Sequence, residues 1–355
     1  MSSTSISGSD IIIRLFKRKD LESLLSLYKD VWPNRGIDEG DWNWKYRDNP
    51  FGKSLILVAV KEEKIVGHEA LWYMPLSVDG INQLSYQSVD SMVHPDYRGR
   101  GIFNNLIARS MEVCSTLTCP IIFGFPNRSS YKIYTKFGWL SGSSFHRFIK
   151  ILNWQDVFNS RITTKYLKWA SNLAGFVVNT ATRRFSEKKK IKGLEVQEEL
   201  EPLKIFQDIW LEYYERSGKP LAINKSLEYL NWRYKNKPGS NCIFLALRYK
   251  GSIVGFGVIK KDIYGVMKRV RLGEFVLLDK TFTSGFLYEI FELLKGKECS
   301  TIEYNVWNSL ELEGILKSMG FIRRSDEPPF IFKVFKDLPA DIINWYISGG
   351  DNESF

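Results

Sequence analysis

Apolar positions along the chain alternate between helical and strand-like spacing. Leu21, Leu24, Leu25, Tyr28, Val31 and Trp32 recur every three to four residues, which predicts a first helix. Three strand-like stretches follow, residues 55–60, 65–76 and 83–93, parted by charged or glycine-containing turns. Beyond them Phe103, Leu106, Ile107, Ser110 and Met111 mark a second helix, residues 121–125 an apolar strand, and Gly138-Trp139 the end of a third helix. Strands that run on and then alternate with helices predict a mixed α/β domain around a central, twisted, mostly antiparallel sheet.

The same order occurs twice. Trp44-Lys-Tyr-Arg-Asp-Asn-Pro50 returns as Trp232-Arg-Tyr-Lys-Asn-Lys-Pro238, and in both copies a glycine stands 23 positions after the tryptophan, Gly67 and Gly255. Each copy then carries an amphipathic helix pattern, an apolar strand, an asparagine (Asn127, Asn308) and a Gly-aromatic pair (Gly138-Trp139, Gly320-Phe321). Four matching segments in one order imply a duplicated fold. The boundaries expected are a first domain over 10–152, a helical connector over 153–190, a second domain over 191–337 and a tail over 338–355. In the connector Tyr166, Trp169, Leu173 and Phe176 keep helical spacing before the basic exit at Lys188 to Lys190.

Composition narrows the partners. A net charge of +10 favours anionic ligands without choosing among them. Cys114, Cys119, Cys242 and Cys299 form neither a zinc-type pair of pairs nor a disulfide framework, so no metal and a reducing, cytoplasmic setting are expected. The Ser-rich start lacks the basic and apolar regions of a secretory signal. The apolar runs fall short of the ~20 residues that span a bilayer, so no membrane span is expected.

Between residues 83–93 and the second helix lies His94-Pro-Asp-Tyr-Arg98-Gly99-Arg100-Gly101. Two glycines at a strand-to-helix turn let successive N–H groups converge, and the helix start adds its positive dipole end: an anion nest flanked by two arginines. The run resembles the acetyl-CoA loop of the GNAT acetyltransferase superfamily, Arg or Gln, two residues, Gly, one residue, then Gly or Ala, with Phe103 where a small residue is usual. A second motif fits the same family: Asn127, Tyr134 seven positions on, and Gly138-Trp139 four beyond that. The resemblance implies two tandem GNAT-like domains and an N-acetyltransferase that uses acetyl-CoA. It implies a cofactor site of Met92, Val93, Arg98, Gly99, Arg100, Gly101, Ile102, Phe103, Asn127 and Tyr131. Met92 and Val93 would pair with the pantetheine arm as an added strand, and Tyr134 would protonate the leaving thiolate.

Asp90, three residues before Val93, is the candidate base, with Glu69 on the neighbouring strand and a water relay as the alternatives. Copy two has Leu277-Leu278-Asp279-Lys280-Thr281-Phe282 in place of the glycine loop, and Leu316 four residues before Gly320. It is expected to be non-catalytic and to close the acceptor site. Trp44, Tyr46, Glu69 and Tyr86 are the candidate acceptor contacts, the aromatics among them as stacking surfaces. Tandem proteins with an active first copy resemble acetyltransferases for nucleotide-linked amino sugars of bacterial surface polysaccharides. The alternatives are a tRNA-dependent aminoacyl transferase, which an intact acetyl-CoA loop disfavours, and a non-catalytic acetyl-CoA-binding module. The expected partner is a small-molecule amine rather than nucleic acid, and the expected state a monomer or weak dimer.

Overall fold

A computed structural model of the chain describes residues 4–5, 10–78, 80–117, 121–143, 145–161, 191–264, 267–295, 299–324, 329–335, 344–353 and 355. The first half runs β1 (Ile12–Leu15), α1 (Leu21–Val31), β2 (Leu55–Lys61), β3 (Lys64–Val78), β4 (Ile81–Val93), α2 (Ile102–Thr116), β5 (Ile121–Gly124), α3 (Arg128–Lys136) and β6 (Phe145–Ile151). The second half repeats the order with β7 (Leu194–Glu199), α4 (Lys204–Arg216), β8 (Leu221–Ile223), β9 (Cys242–Tyr249), β10 (Ser252–Tyr264), β11 (Met267–Leu277), α5 (Thr283–Lys295), β12 (Thr301–Trp307), α6 (Leu310–Ser318), β13 (Ile331–Val334) and β14 (Trp345–Tyr346). The mixed α/β class with two sheets is as the hydrophobic pattern implies. Trp154–Arg161 is helical, whereas Tyr166, Trp169, Leu173 and Phe176 of the expected connector lie outside the described residues.

Each sheet takes in a strand from the other half of the chain. β6 follows the first copy in sequence but pairs antiparallel with β12, placing Arg147 opposite Asn305. β13 comes from the second copy and pairs with β5, Phe332 opposite Phe123. A boundary drawn at residue 152 therefore leaves β6 in the first domain by sequence and in the second sheet in space.

The repeated Trp-basic-Tyr-basic segments meet at the centre. Asn43–Arg47 and Asn231–Lys235 each form one widened turn, with Asp48 N–H donating to Asn43 O and Asn236 N–H to Asn231 O, both at 2.8 Å. Such single wide turns tend to mark functional or junction positions in a fold. Trp44 Nε1 donates to Trp232 O at 2.8 Å, Trp232 Nε1 donates to Trp44 O at 3.1 Å, and the rings stack at 5.7 Å. This reciprocal pair fixes the halves against each other. Trp232→Ala is expected to cost about 3–5 kcal/mol of stability, read as a lowered denaturant midpoint for the whole chain rather than for one half.

Candidate functional site

Where β4 leaves β5 a groove opens. The parallel pairing is confined to Ser85 to Ser88 against Ile121 to Gly124, after which β4 runs on to Val93 while the other strand turns into α3. On its far side Val93 still pairs with Gly67 and Met92 with His68, so this stretch of β4 has a strand neighbour on one side only. Gly99 and Gly101 take φ of +75° and +74°, the left-handed region that glycine enters at no cost. Gly101 sits at the N-cap of α2 with no side chain capping the first turn, so that turn keeps its orphan N–H groups. By contrast α3 is capped by Asn127, whose Oδ1 accepts from Ser129 N and Ser130 N at 3.0 and 2.9 Å.

The groove has a volume of about 730 Å³ and is lined by Met92, Val93, Arg98, Gly99, Gly101, Ile102, Phe103 and Asn127 among others. Arg98 Nε donates to Val93 O at 3.3 Å. Arg100 donates to Asp96 O and lies over Tyr97. Tyr131 points elsewhere, its hydroxyl 2.7 Å from Ser141 Oγ.

At the inner end of the groove stands a chain of hydroxyls. Tyr134 is buried, its ring held edge-on by Trp139 and Phe103. Its oxygen lies 2.6 Å from Ser88 Oγ and 2.9 Å from Ser91 Oγ. Ser88 Oγ in turn donates to Glu69 Oε1 at 2.7 Å. Burial pushes the Glu69 carboxyl up to about 8, although hydrogen bonds from Ser91 and Ser88 pull the other way. Burial, then the charge on Glu69, push the Tyr134 phenol well above its ordinary value, so it stays protonated across the neutral range.

Asp90 is placed differently. It marks an irregularity in the β3–β4 pairing with φ +52°, outside the usual range for a residue with a side chain. Its Oδ2 accepts from Tyr28 at 2.7 Å, from Lys45 Nζ at 2.8 Å, and from Tyr46. Burial alone would raise this carboxyl, but Lys45 and the donated bonds outweigh it and hold it well below the usual range. A carboxylate so compensated is a weak proton acceptor near neutral pH.

The second copy supplies an internal comparison. Counting from the paired residues Gly67–Val93 and Gly255–Leu277, Asp90 corresponds to Glu274. Glu274 is caged as well, accepting from Lys225 Nζ at 2.9 Å, Ser348 Oγ at 2.9 Å and Tyr234, the counterpart of Tyr46. The hydroxyl chain has no such counterpart. At the positions of Glu69, Ser88 and Ser91 stand Gly257, Leu272 and Phe275, and Leu316 replaces Tyr134 as an apolar core residue. The caged carboxylate is thus common to both copies, and the hydroxyl chain is found only in the first.

A polar cleft of about 550 Å³ lies beside Tyr134 and shares Trp32, Ser91, Asn127 and Ser130 with the groove. One wall carries Ser88, Asp90, Ser91 and Tyr134; the other belongs to the second sheet, with Arg147, Arg269, Arg271, Glu303 and Asn305. Residues of the C-terminal segment, Asn352 and Glu353, also reach it, and Glu353 Oε1 accepts from Lys45 Nζ at 2.9 Å. The aromatic acceptor contacts expected from sequence are not free platforms: Trp44 is stacked on Trp232, Tyr46 is bonded to Asp90, and Tyr86 packs edge-on against Tyr73 in the core. Arg147 and Glu353 carried no sequence signal, because strand exchange and chain return bring them to the cleft, where Arg269 and Arg271 of β11 also stand.

Residues 12–141 match the family described as acetyltransferase (GNAT) domain. An acetyltransferase of Pectobacterium atrosepticum is 34% identical over 112 residues, 31% of this chain and 72% of that protein. One of Photorhabdus laumondii is 34% identical over 126 residues, 34% of this chain and 80% of that protein. Among solved structures, a tandem GNAT protein from the clavulanic acid biosynthesis pathway superposes with a TM-score of 0.58 at 12% identity, covering 92% of this chain and 99% of that one. A GCN5-related N-acetyltransferase from Anabaena variabilis gives 0.66 at 13% identity, covering 92% of this chain and 73% of that one. The family match lies in the first copy, and at these identities the structural neighbours extend the likeness in fold to the second. Among the described residues no helix is long and apolar enough to cross a membrane, and no group of His, Cys, Asp and Glu is arranged to hold a metal ion.

Proposed function

Since this chain belongs to the GNAT acetyltransferases, whose domains use acetyl-CoA, we propose that its first copy acetylates the amine of a nucleotide-linked amino sugar. The observation that carries the proposal is the hydroxyl chain from Glu69 through Ser88 to Tyr134, which opens where an uncapped helix start and a splayed strand edge converge. In the groove the N–H groups after Gly101 take the pyrophosphate, and the splayed edge of β4 at Met92 and Val93 takes the pantetheine arm.

Acetyl-CoA supplies the activated acyl group. The amine nitrogen forms a bond to the thioester carbonyl carbon, the carbon–sulfur bond breaks, and one proton must leave nitrogen while another reaches sulfur. Glu69 is buried behind Ser88 and Ser91, so the amine proton reaches it through those hydroxyls. Tyr134, with its raised pKa, cannot end as a phenolate; it passes a proton to the thiolate only as its oxygen regains one through Ser88. The net transfer then runs from a carboxyl near 8 to a thiolate whose acid has a pKa of about 8.5. Neither step is steeply uphill, which is the condition for efficient general acid–base catalysis. Asp90 acts in this scheme as a structural anchor, joining α1, β4 and the Trp44 turn through Tyr28 and Lys45.

A nucleotide-linked sugar is supported by the size and polarity of the cleft, since sites for small ligands commonly span about 300–1,000 Å³. Release of CoA thiol in the presence of nucleotide amino sugars, simple amines and peptides tests it; activity on peptides alone removes the sugar acceptor. Tyr134→Phe keeps the ring packing and is expected to lower kcat about a hundredfold while leaving acetyl-CoA affinity by calorimetry within twofold or so of the native value.

A further inference from the structure

The segment after β14 supplies a carboxylate to each half of the chain. In the second half Lys225 Nζ lies between Glu274 Oε1, 2.9 Å away, and Asp351 Oδ1. In the first half Lys45 Nζ lies between Asp90 Oδ2 at 2.8 Å and Glu353 Oε1 at 2.9 Å. Glu274 and Asp90 are counterparts in the two copies, so a lysine held between a strand carboxylate and a carboxylate of this segment is built twice. The two groups differ in where they open. All three side chains around Lys225 are at most 2% exposed, and Ser348 and Tyr234 add further hydrogen bonds to Glu274. A group sealed in this way is structural. Around Lys45 the lysine and Asp90 are buried, whereas Glu353 keeps 26% of its side chain exposed and lines the cleft with Ser88, Ser91 and Tyr134.

The place of Glu353 is set by the residues before it. Arg233 donates to Gly350 O and Asn352 O, and Gln87 Nε2 donates to Asp351 O at 3.2 Å. Gly350 passes so close to Tyr234 and Glu274 that a Cβ there would collide with the tyrosine hydroxyl, so only glycine fits. An arm held in this way needs little further ordering when a ligand arrives. Stability does not explain why it ends at the cleft, because Lys45 already has Asp90 as a buried partner and a part-exposed ion pair adds little. Lys45 takes one oxygen of Glu353, and among the described residues no donor takes the other. Asp90 Oδ1 is also without a donor among the described residues. A carboxylate can accept about four hydrogen bonds, which leaves Glu353 capacity for a ligand that brings donors. The cleft as a whole is not acidic, since Arg35, Arg147, Arg269 and Arg271 line it as well. Open hydrogen-bonding capacity beside the reacting hydroxyls, not net charge, singles Glu353 out.

We propose that Glu353 is an acceptor-binding residue, its carboxylate accepting hydrogen bonds from ring hydroxyls of the amino sugar whose amine meets Ser88 and Ser91. This rests on acetyl transfer at Tyr134 as argued above and adds a specificity determinant that the second half of the chain carries into the site of the first. A site that hydrogen-bonds substrate hydroxyls rejects an analogue without them strongly, because its own polar groups are then left unpaired.

The test uses the full-length protein, acetyl-CoA and three amines: UDP-glucosamine, glucosamine and cyclohexylamine, the last a ring amine without hydroxyls. The native protein is expected to prefer one of the sugars over cyclohexylamine by at least about a hundredfold in kcat/KM. In Glu353→Ala that preference should fall by about tenfold or more through a raised KM for the sugar, with Glu353→Gln recovering part of it and the acetyl-CoA dissociation constant unchanged. A residue that only steadied Lys45 and Asp90 would slow every amine alike, and the preference would survive. Its survival in the folded alanine variant therefore overturns the inference and leaves acetyl transfer standing. So does a native protein that uses cyclohexylamine as well as the sugars. Where cyclohexylamine turns over too slowly to measure, the sugar alone decides: a loss carried by KM supports the contact, and a loss carried by kcat alone overturns it. Acetyl-CoA binding without CoA release for any of the three amines overturns the underlying acetyl transfer as well. Should the alanine variant fail to fold, Glu353→Gln, which keeps a partner for Lys45, is read in its place, with a fall of at least about threefold expected.

Discussion

Gly101→Asp is expected to abolish acetyl-CoA binding, raising its dissociation constant by more than about a hundredfold. Two effects of different size add up. The backbone at Gly101 has φ +74°, and a side chain there costs about 1–2 kcal/mol, less for Asn and Asp, which visit this region more readily than other residues. There is room for the side chain, since the nearest atom to an added Cβ is Asn105 Nδ2 at 3.6 Å. The dominant effect is charge: a carboxylate would stand at the mouth of the first helical turn, where the orphan N–H groups are to meet a diphosphate. Gly101→Asn separates the two, because it carries nearly the same backbone cost without the charge. Calorimetry should find the asparagine variant weakened by about tenfold and the aspartate variant without measurable binding. Equal loss in both would mean that loop shape, not the anion, is what matters at this position.

The sequence carried a great deal of the fold and the near half of the site, and the reasons are local. The duplication was legible because the Trp-basic-Tyr-basic turn and the glycine 23 positions after each tryptophan are short-range features repeated intact. The groove beside β4 was legible because its parts Gly99, Gly101 and Asn127, with Tyr134 next to them, are set by loop and cap geometry within 36 consecutive residues. The far wall was not. Arg147 reaches the second sheet only because β6 crosses over, and nothing in the alternation of residues 145–151 says which sheet they join. Glu353 reaches the cleft because the segment after β14 doubles back and Arg233 holds Gly350 O and Asn352 O at 3.0 and 2.8 Å. A strand pattern fixes which residues share a face but not the neighbour that face meets. The choice between Asp90 and Glu69 needed tertiary information for the same reason. Both stand on adjacent strands, and only the donors brought in by α1 and the Trp44 turn separate a compensated carboxylate from one raised by burial.

That difference makes Glu69→Gln the most discriminating substitution at the reacting end. As the terminus of the proton relay, Glu69 must be ionised to accept, so kcat/KM for the acceptor should climb with pH and level off above about 8. The acceptor amine titrates in a similar range, so the limb must be followed with amines of different pKa. The part that stays fixed while the acceptor changes belongs to the protein. In Glu69→Gln that fixed limb should vanish, with kcat lower by about 10²–10⁴-fold. Stability should move the opposite way. The Glu69 carboxyl titrates near 4.5 when unfolded and at about 8 when folded, so between those values the native state holds a proton that the unfolded chain has released. Stability from this group is therefore greatest below the lower value and is lost as pH rises through the window, by an amount on the order of a few kcal/mol. Glutamine does not titrate, so the variant should gain on the native protein as pH is raised from 5 toward 9, seen as a smaller fall in the denaturant midpoint. Lost turnover in a variant that has gained alkaline stability cannot be put down to a weakened fold, so it assigns Glu69 to the chemistry. An alkaline limb that persists unmoved in the glutamine variant would transfer the base to a water or to another group and break the relay at its first step.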